Sequence, residues 1–275
     1  MKKKSFVASV AAAPHIFWSI LFIVAPLLIV LYYAFTDPNG SFTFENIMGL
    51  SEHTQTFLLS IEMSVIATFC CLLVGYPIAY IIARSPVRRQ RFLIMLIMLP
   101  MWTNLLIRTY SMMAILDDGG LLNTILTSID IKAVHIVGTK GAVIFGMAYD
   151  YLPYMILPIY TVISKIDNNL LEAAQDLGAS QIKVMTRVIL PLSVSGIISG
   201  ITMVFVPSIS TFYISQKLGG GTFELIGDTI ERQFQNSSTY NIGAAISLVM
   251  MILILISLAV MNKFTDNDGE GEIII

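Results

Sequence analysis

Long apolar runs dominate the pattern of this chain. A helix needs about 20 mainly apolar residues to cross the hydrocarbon core of a bilayer. Six segments meet this requirement: 14–36, 57–83, 92–115, 141–163, 192–214 and 242–262. Each is apolar on all faces, as expected for a helix that lipid surrounds. Because backbone polar groups in lipid must be satisfied within their own segment, the pattern predicts an all-α membrane protein with six transmembrane helices.

The composition supports the same conclusion. Hydrophobic residues make up 56% of the 275 residues and charged residues only 12%, whereas soluble domains carry about 25% charged residues. No segment is polar enough to form a separate soluble domain, so we expect a single transmembrane domain over 1–275. The net charge of −2 and the absence of a basic face argue against a nucleic-acid partner.

The amino terminus resembles a signal peptide, because Lys2 to Lys4 precede a short alanine-rich stretch. The apolar run continues to Phe35, however, which is long enough to span a bilayer, and we therefore expect an uncleaved first span. Several predicted spans contain prolines, which membrane helices tolerate because neighbouring groups satisfy the freed carbonyls: Pro26, Pro77, Pro100, Pro153, Pro158 and Pro207.

The distribution of Lys and Arg predicts the orientation, because cations accumulate on the cytoplasmic side. Eleven of the 16 cations fall on one side of the predicted spans, four fall on the other, and Arg108 lies inside the third span. This asymmetry predicts that both termini are cytoplasmic, including an acidic tail over 263–275. The outer loops are then 37–56, 116–140 and 215–241. A Gly-rich stretch in the last of them, Gly219 to Gly221, is expected to be a turn.

The sequence offers no catalytic or metal-binding constellation. Cys70 and Cys71 are adjacent in an apolar run, where small packing residues are the expected role. The three histidines, His15, His53 and His135, lie far from one another and from both thiols, so no metal site is expected.

The cytoplasmic loop 165–191 is predicted to contain two short helices. Asp167 or Asn169 can cap the first, and the spacing from Asn169 to Glu172 fits a capping box. Gly178 suits the left-handed position that ends this helix, and Ser180 can cap the second. A helix this short must pack on something. The residues leave two possibilities open: it packs on its own bundle, or it offers its surface to a cytoplasmic partner.

A longer pattern covers the same loop. Glu172-Ala173-Ala174, then Gly178, then Val188 to Pro191 resemble the EAA signature of ABC importer permeases, although that family more often has Ile at position 188. The resemblance implies the transmembrane domain of a type I ABC importer, in which this loop docks on a separate ATPase. The implied coupling residues are Glu172, Ala173, Ala174, Asp176, Gly178, Leu190 and Pro191.

The resemblance also implies partners and a location. The sequence lacks the G-x-x-x-x-G-K-[ST] phosphate loop of an ATPase, so we expect no cofactor on this chain and ATP with Mg²⁺ on a partner. The implied partners are a second permease, two ATPase copies and an extracytoplasmic substrate-binding protein. The implied location is the bacterial cytoplasmic membrane, with no enzymatic chemistry in this chain.

Other segments resemble the spermidine/putrescine branch of this family, and its first permease subunit more than its second: 70–84, 99–110, 152–160, 212–221 and 242–245. The resemblance implies polyamines as the substrate. Polycations require carboxylates and aromatic faces along their path, and ionisable groups within a membrane are functional candidates. The candidates for this path are Asp150, Tyr149, Tyr151, Tyr154, Trp102, Asn104, Arg108, Tyr110, Glu62 and Tyr213.

Each candidate has a structural alternative. Asp150 and Arg108 can form an ion pair with no role in transport, Glu62 can be solvated at the interface, and Trp102 and Tyr110 can belong to an interfacial aromatic belt. Alternatives for the whole chain are an importer of the same architecture for iron, sulfate, an amino acid or an opine, a secondary transporter, and an intramembrane enzyme. The last would need clustered His and Asp or a Ser/His pair at membrane depth, which the sequence does not contain.

Overall fold

The computed structural model describes residues 13–269, and every regular element in this range is helical. The predicted all-α membrane fold is therefore confirmed. The cations at the amino terminus and the last six residues of the acidic tail lie outside the described residues. The helices are α1 (Ala13–Ala34), α2 (Thr54–Ala83), α3 (Val87–Met98), α4 (Leu105–Leu116), α5 (Leu121–Ser128), α6 (Lys140–Ile163), α7 (Asn168–Asp176), α8 (Gln181–Leu192), α9 (Val194–Ser210), α10 (Tyr213–Leu218), α11 (Ile226–Gln235) and α12 (Tyr240–Gly269).

Four of the predicted spans are long apolar helices: α1, α2, α6 and α12. The third predicted span is broken: 87–102 and 105–128 meet at a bend of 92°. The fifth predicted span corresponds to α9, which a bend of 66° separates from α8 of the preceding predicted loop. Pro100 lies in a 3₁₀ turn at the first break, and Asn104 starts the next helix there by accepting a hydrogen bond from Leu106 N (2.7 Å).

The chain forms two compact units. The first comprises residues up to 54 together with 229–253. Its core is small and includes Ala34, Ala244 and Ala245. The side-chain amide of Asn241 donates to the carbonyls of Tyr33 and Thr36, which joins the end of α1 to the start of α12. Most of α1 stays exposed, so lipid or another membrane helix must cover it.

The second unit comprises 55–228 together with the residues after 253, and α6 lies at its centre. Met147, Met155 and Ile159 of this helix are fully buried. Helix α9 packs on α6 through Gly196 and Gly200, spaced by four residues, where the backbones approach closely. A Cβ at Gly200 would lie 2.7 Å from the Met155 sulfur and 3.1 Å from the Met155 carbonyl oxygen. Small residues at this spacing favour close helix packing in membranes.

Candidate functional site

An ion pair joins the third and fourth predicted spans inside the second unit. The Nη1 atom of Arg108 on α4 lies 3.2 Å from Oδ1 of Asp150 on α6, and the two side chains are 13% and 1% exposed. Among residues 13–269, neither oxygen of Asp150 has a partner with hydrogen-bond geometry. The ion pair that the sequence offered as one alternative is therefore present, and Asp150 keeps unused acceptor capacity at membrane depth.

The aromatic candidates around Asp150 do not converge on its carboxylate. Tyr151 is buried, and its hydroxyl donates to the Pro207 carbonyl at 3.5 Å. Tyr149 and Tyr154 are exposed at 46% and 38%, because successive positions along a helix face different directions. Tyr149 instead contributes, with Arg108, to an open cavity of about 530 Å³ between α4, α6 and the turn before α4.

The remaining pathway candidates have other surroundings. Trp102 is 77% exposed, and Asn104 acts as a helix cap. Glu62 forms a solvent-exposed ion pair with Lys140 at 3.8 Å, and pairs of this kind contribute little to stability. Tyr110 and Tyr213 do come together, with ring centroids 6.0 Å apart. The structure thus separates the ten candidates into a buried ion pair, a tyrosine pair, the buried Tyr151 and scattered surface groups.

A third residue, Lys217, lies beside the tyrosine pair. In the sequence it counted only towards the predicted orientation of the chain in the membrane. The ammonium of Lys217 lies 5.2 Å from the centroid of the Tyr110 ring and 5.8 Å from that of the Tyr213 ring. Both distances fall within the range of cation–π attraction. Tyr213 and Lys217 are four residues apart and share one face of α10. That spacing was visible in the sequence, but the approach of Tyr110 from α4 was not.

Helix α10 is held firmly by its opposite face. Ile214 and Leu218 are fully buried, and a Cβ on Gly146 of α6 would lie 2.4 Å from the Leu218 side chain. Ser215 donates to a carboxylate oxygen of Asp228 at 2.9 Å, and Leu225 N donates to the other at 2.8 Å. Burial raises the pKa of Asp228 to about 6, although these hydrogen bonds act in the opposite direction.

The segment that carries the EAA-like pattern forms the two predicted helices, α7 and α8. Asp167 caps α7 by accepting from Asn169 N at 3.0 Å, so the predicted capping box starting at Asn169 is wrong, because Asn169 lies inside the helix. Gly178 has φ +82°, the left-handed conformation that was predicted. Ser180 caps α8 through Lys183 N, and α8 continues through Pro191 to Leu192.

The two helices both pack on the bundle and present a surface. Leu171 and Ala174 pack against the core of the second unit. Leu177 and Ile182 are 89% and 76% exposed and flank the turn at Gly178. Neither was a predicted coupling residue, but six of the seven predicted ones also lie at the surface: Glu172, Ala173, Asp176, Gly178, Leu190 and Pro191. Large apolar side chains exposed beside charged ones are a feature of interaction surfaces.

Two polar contacts fasten α2 to this segment, and sequence reasoning missed both. The guanidinium of Arg84, just after α2, donates to the Asn168 side chain at 2.8 Å and to the carbonyls of Ile163 and Ile166 at 3.4 Å. The Tyr76 and Ser193 hydroxyls lie 3.0 Å apart, at the bend between α8 and α9. The beginning and end of the segment are therefore both tied to one long helix.

Comparisons with known proteins agree with this architecture. Residues 75–267 match the family described as "Binding-protein-dependent transport system inner membrane component". The chain is 40% identical over 268 residues to the spermidine/putrescine transport system permease protein PotB of Haemophilus influenzae, covering 93% of this chain and 94% of that one. It is 37% identical over 253 residues to PotB of Escherichia coli, covering 88% and 92%.

A solved structure supports the fold. A bacterial ABC transporter that imports the acidic polysaccharide alginate matches with a TM-score of 0.77 at 19% identity, over 96% of both chains. The family match covers well over half of the chain, and the PotB relatives cover most of it. This chain belongs to the inner membrane components of binding-protein-dependent transport systems, the permease subunits of ABC importers.

Proposed function

We propose that this permease subunit moves polyamines such as spermidine and putrescine inward across the cytoplasmic membrane. The observation that carries the proposal is the similarity to PotB proteins, which extends over nearly the whole chain at 36–40% identity. The buried carboxylate of Asp150, with unused acceptor capacity, also suits a cationic solute. Arg108 neutralises this carboxylate until a substrate ammonium competes for it.

Energy is supplied by a separate ATPase, two copies of which bind ATP and Mg²⁺, and no cofactor binds to this chain. The docking surface is the α7–α8 segment, where Leu177 and Ile182 are exposed on either side of Gly178. ATP-driven closure of the ATPase pair displaces this segment, and its ties to α2 through Arg84 and Tyr76 carry the displacement into the bundle.

The complete importer contains a second permease and an extracytoplasmic substrate-binding protein. The single domain over 1–275 crosses the membrane with both termini in the cytoplasm, in agreement with the distribution of cations. A structural relative, the alginate transporter, has been solved in complex with a pentasaccharide-bound periplasmic protein. That precedent supports a periplasmic binding protein as the source of substrate.

Uptake of labelled spermidine into cells that carry the whole importer tests the substrate. Unlabelled putrescine and spermidine should compete, whereas iron, sulfate and amino acids should not. Competition by one of these other solutes, with none by polyamines, would assign the chain to a different substrate. Uptake that follows an ion gradient and persists without the ATPase would instead indicate a secondary transporter.

Co-purification tests the coupling surface. Glu172→Lys reverses a charge on the exposed face of α7, and we expect the variant to lose the co-purifying ATPase or its substrate-stimulated hydrolysis. Glu52→Lys provides a matched control, because Glu52 is an exposed carboxylate in a predicted outer loop. If the Glu172 variant keeps both properties, the docking assignment is wrong.

A further inference from the structure

The cluster of Tyr110, Tyr213 and Lys217 has the form of an occupied cation site. The two rings meet nearly edge to face, with an interplanar angle of 77°, and the Lys217 ammonium lies within 6 Å of both centroids. None of the three ion pairs described among residues 13–269 includes Lys217. Its described partners are the two tyrosines: the ammonium lies near both rings and forms a side-chain hydrogen bond with Tyr110.

The Lys217 side chain that occupies this site resembles one end of a polyamine. A lysine side chain ends in four methylenes and a primary ammonium, the same aminobutyl group that terminates putrescine and one end of spermidine. A site whose size and electrostatics suit the lysine ammonium suits a polyamine terminus equally well. Attraction between an ammonium and a partly exposed ring is modest, so the tethered group can be exchanged for a free one.

The surroundings allow such exchange. Tyr110 is 47% exposed, so the site is open on that side. The opposite face of α10 is fixed by the buried Ile214 and Leu218, so Lys217 can leave by rotating its own side chain while the rings stay in place. Tyr110 also lies on α4, the helix that carries Arg108 of the buried ion pair.

We propose that Tyr110 and Tyr213 form a subsite for a primary aminobutyl group of the substrate, and that Lys217 occupies this subsite as a tethered competitor when substrate is absent. The proposal rests on the proposed polyamine function and adds to it a specific position and a built-in inhibitor. Substrate binding releases Lys217, whose charge then repels a second cation from the same position.

The gain in substrate affinity expected on removing the Lys217 ammonium depends on how often that ammonium fills the subsite. If the tethered ammonium fills the site with the strength of a single cation–π contact, the free site is a minor fraction of the protein. Removing the tether should tighten substrate binding to the permease by about 3- to 30-fold, since the apparent dissociation constant of the wild type is the intrinsic one divided by that fraction.

Equilibrium binding of labelled spermidine tests this directly. The assembled membrane complex is used without its binding protein and without ATP, so that the permease alone determines the affinity. Lys217→Met, which keeps an unbranched side chain only one atom shorter and removes the charge, should bind spermidine about 3- to 30-fold more tightly than the wild type. Lys217→Gln is a second neutral variant in case the first assembles poorly. Lys132→Met is the matched control, because it removes one exposed cation from another predicted outer loop.

Two substitutions of Tyr213 test whether the aromatic ring contributes to binding. In the Lys217→Met background, Tyr213→Leu should abolish the gain and Tyr213→Phe should preserve it, because only the second keeps the ring. ATPase activity of each complex verifies assembly. If both neutral Lys217 variants bind spermidine no more tightly than the Lys132 control, the competitor proposal is overturned while polyamine uptake by the wild type remains intact.

Binding of butylammonium distinguishes failure of the subsite proposal from failure of the proposed polyamine function. Butylammonium carries the aminobutyl group alone, and its binding can be followed by saturation-transfer NMR. Binding that increases in Lys217→Met, with no spermidine uptake in any variant, would support the alkylammonium subsite and reject the polyamine assignment. Butylammonium binding that is equal in wild type and Lys217→Met would overturn the subsite.

Discussion

The buried ion pair between Arg108 and Asp150 gives the sharpest mutational prediction. Replacing Asp150 by Asn leaves the Arg108 guanidinium, only 13% exposed, without its counter-charge. Removing one partner of a buried pair costs about 3–5 kcal/mol, most of it from the charge left uncompensated. Because Arg108 borders an open cavity and is not fully enclosed, the lower end of that range, about 3 kcal/mol, is expected.

A double-mutant cycle isolates this cost. Asp150→Asn and Arg108→Gln should each lower the thermal stability of the purified complex. The double variant should recover most of the loss, because neither charge then remains buried alone. The expected coupling free energy is about 2–3 kcal/mol, within the range measured for contacting residues. Thermal melting followed by tryptophan fluorescence provides the measurement, with Glu62→Gln as a control in an exposed pair.

Transport by the same variants separates a structural role from a functional one. If Asp150 also contacts a substrate ammonium, the double variant should regain stability while spermidine uptake stays low. Full recovery of both would remove Asp150 from the pathway and leave a structural pair. Strictly additive losses of stability would refute the electrostatic reasoning, because they would mean that the two side chains do not interact.

Three further predictions concern packing, coupling and pH. Gly200→Leu should prevent assembly, because its side chain would meet the Met155 backbone and sulfur within about 3 Å. Gly200→Ala should reduce the folded yield only partly. Size-exclusion chromatography measures the folded yield of both variants. Leu177→Ser should lower the affinity of the permease for its ATPase without changing its own thermal stability, because this side chain is 89% exposed. Burial raises the folded-state pKa of Asp228 above its unfolded value, so its charged form opposes folding above pH 6. This destabilisation is relieved as the pH falls towards 4. Asp228→Asn should therefore remove the part of the pH dependence of thermal melting that Asp228 causes.

The spans were predictable because lipid imposes a simple rule on composition. Helices α1, α2, α6 and α12 coincide with long apolar runs, and hydropathy identifies such runs without reference to neighbours. Hydropathy does not report the direction of the chain, however. The bend near Thr103, inside the third predicted span, was therefore missed, although Pro100 gave a local signal for it.

The candidate site was partly predictable for a related reason. Arg108 and Asp150 could be paired because ionisable residues are rare within spans and require partners. The spacing of Gly196 and Gly200 carried a packing signal that sequence reasoning overlooked. The approach of Tyr110 to Lys217 joins residues more than a hundred positions apart, and only tertiary structure reveals such a contact.

The apolar surface of α7 and α8 provides the most direct test of the central claim, which is that this segment faces the cytoplasm and binds a separate ATPase. A cysteine at position 177, in a background where Cys70 and Cys71 are replaced, can be modified by a membrane-impermeant maleimide in inside-out vesicles. We expect rapid modification in vesicles that lack the ATPase and strong protection when the ATPase is assembled. Equal rates in the two preparations, or modification from the outside of intact cells, would contradict it.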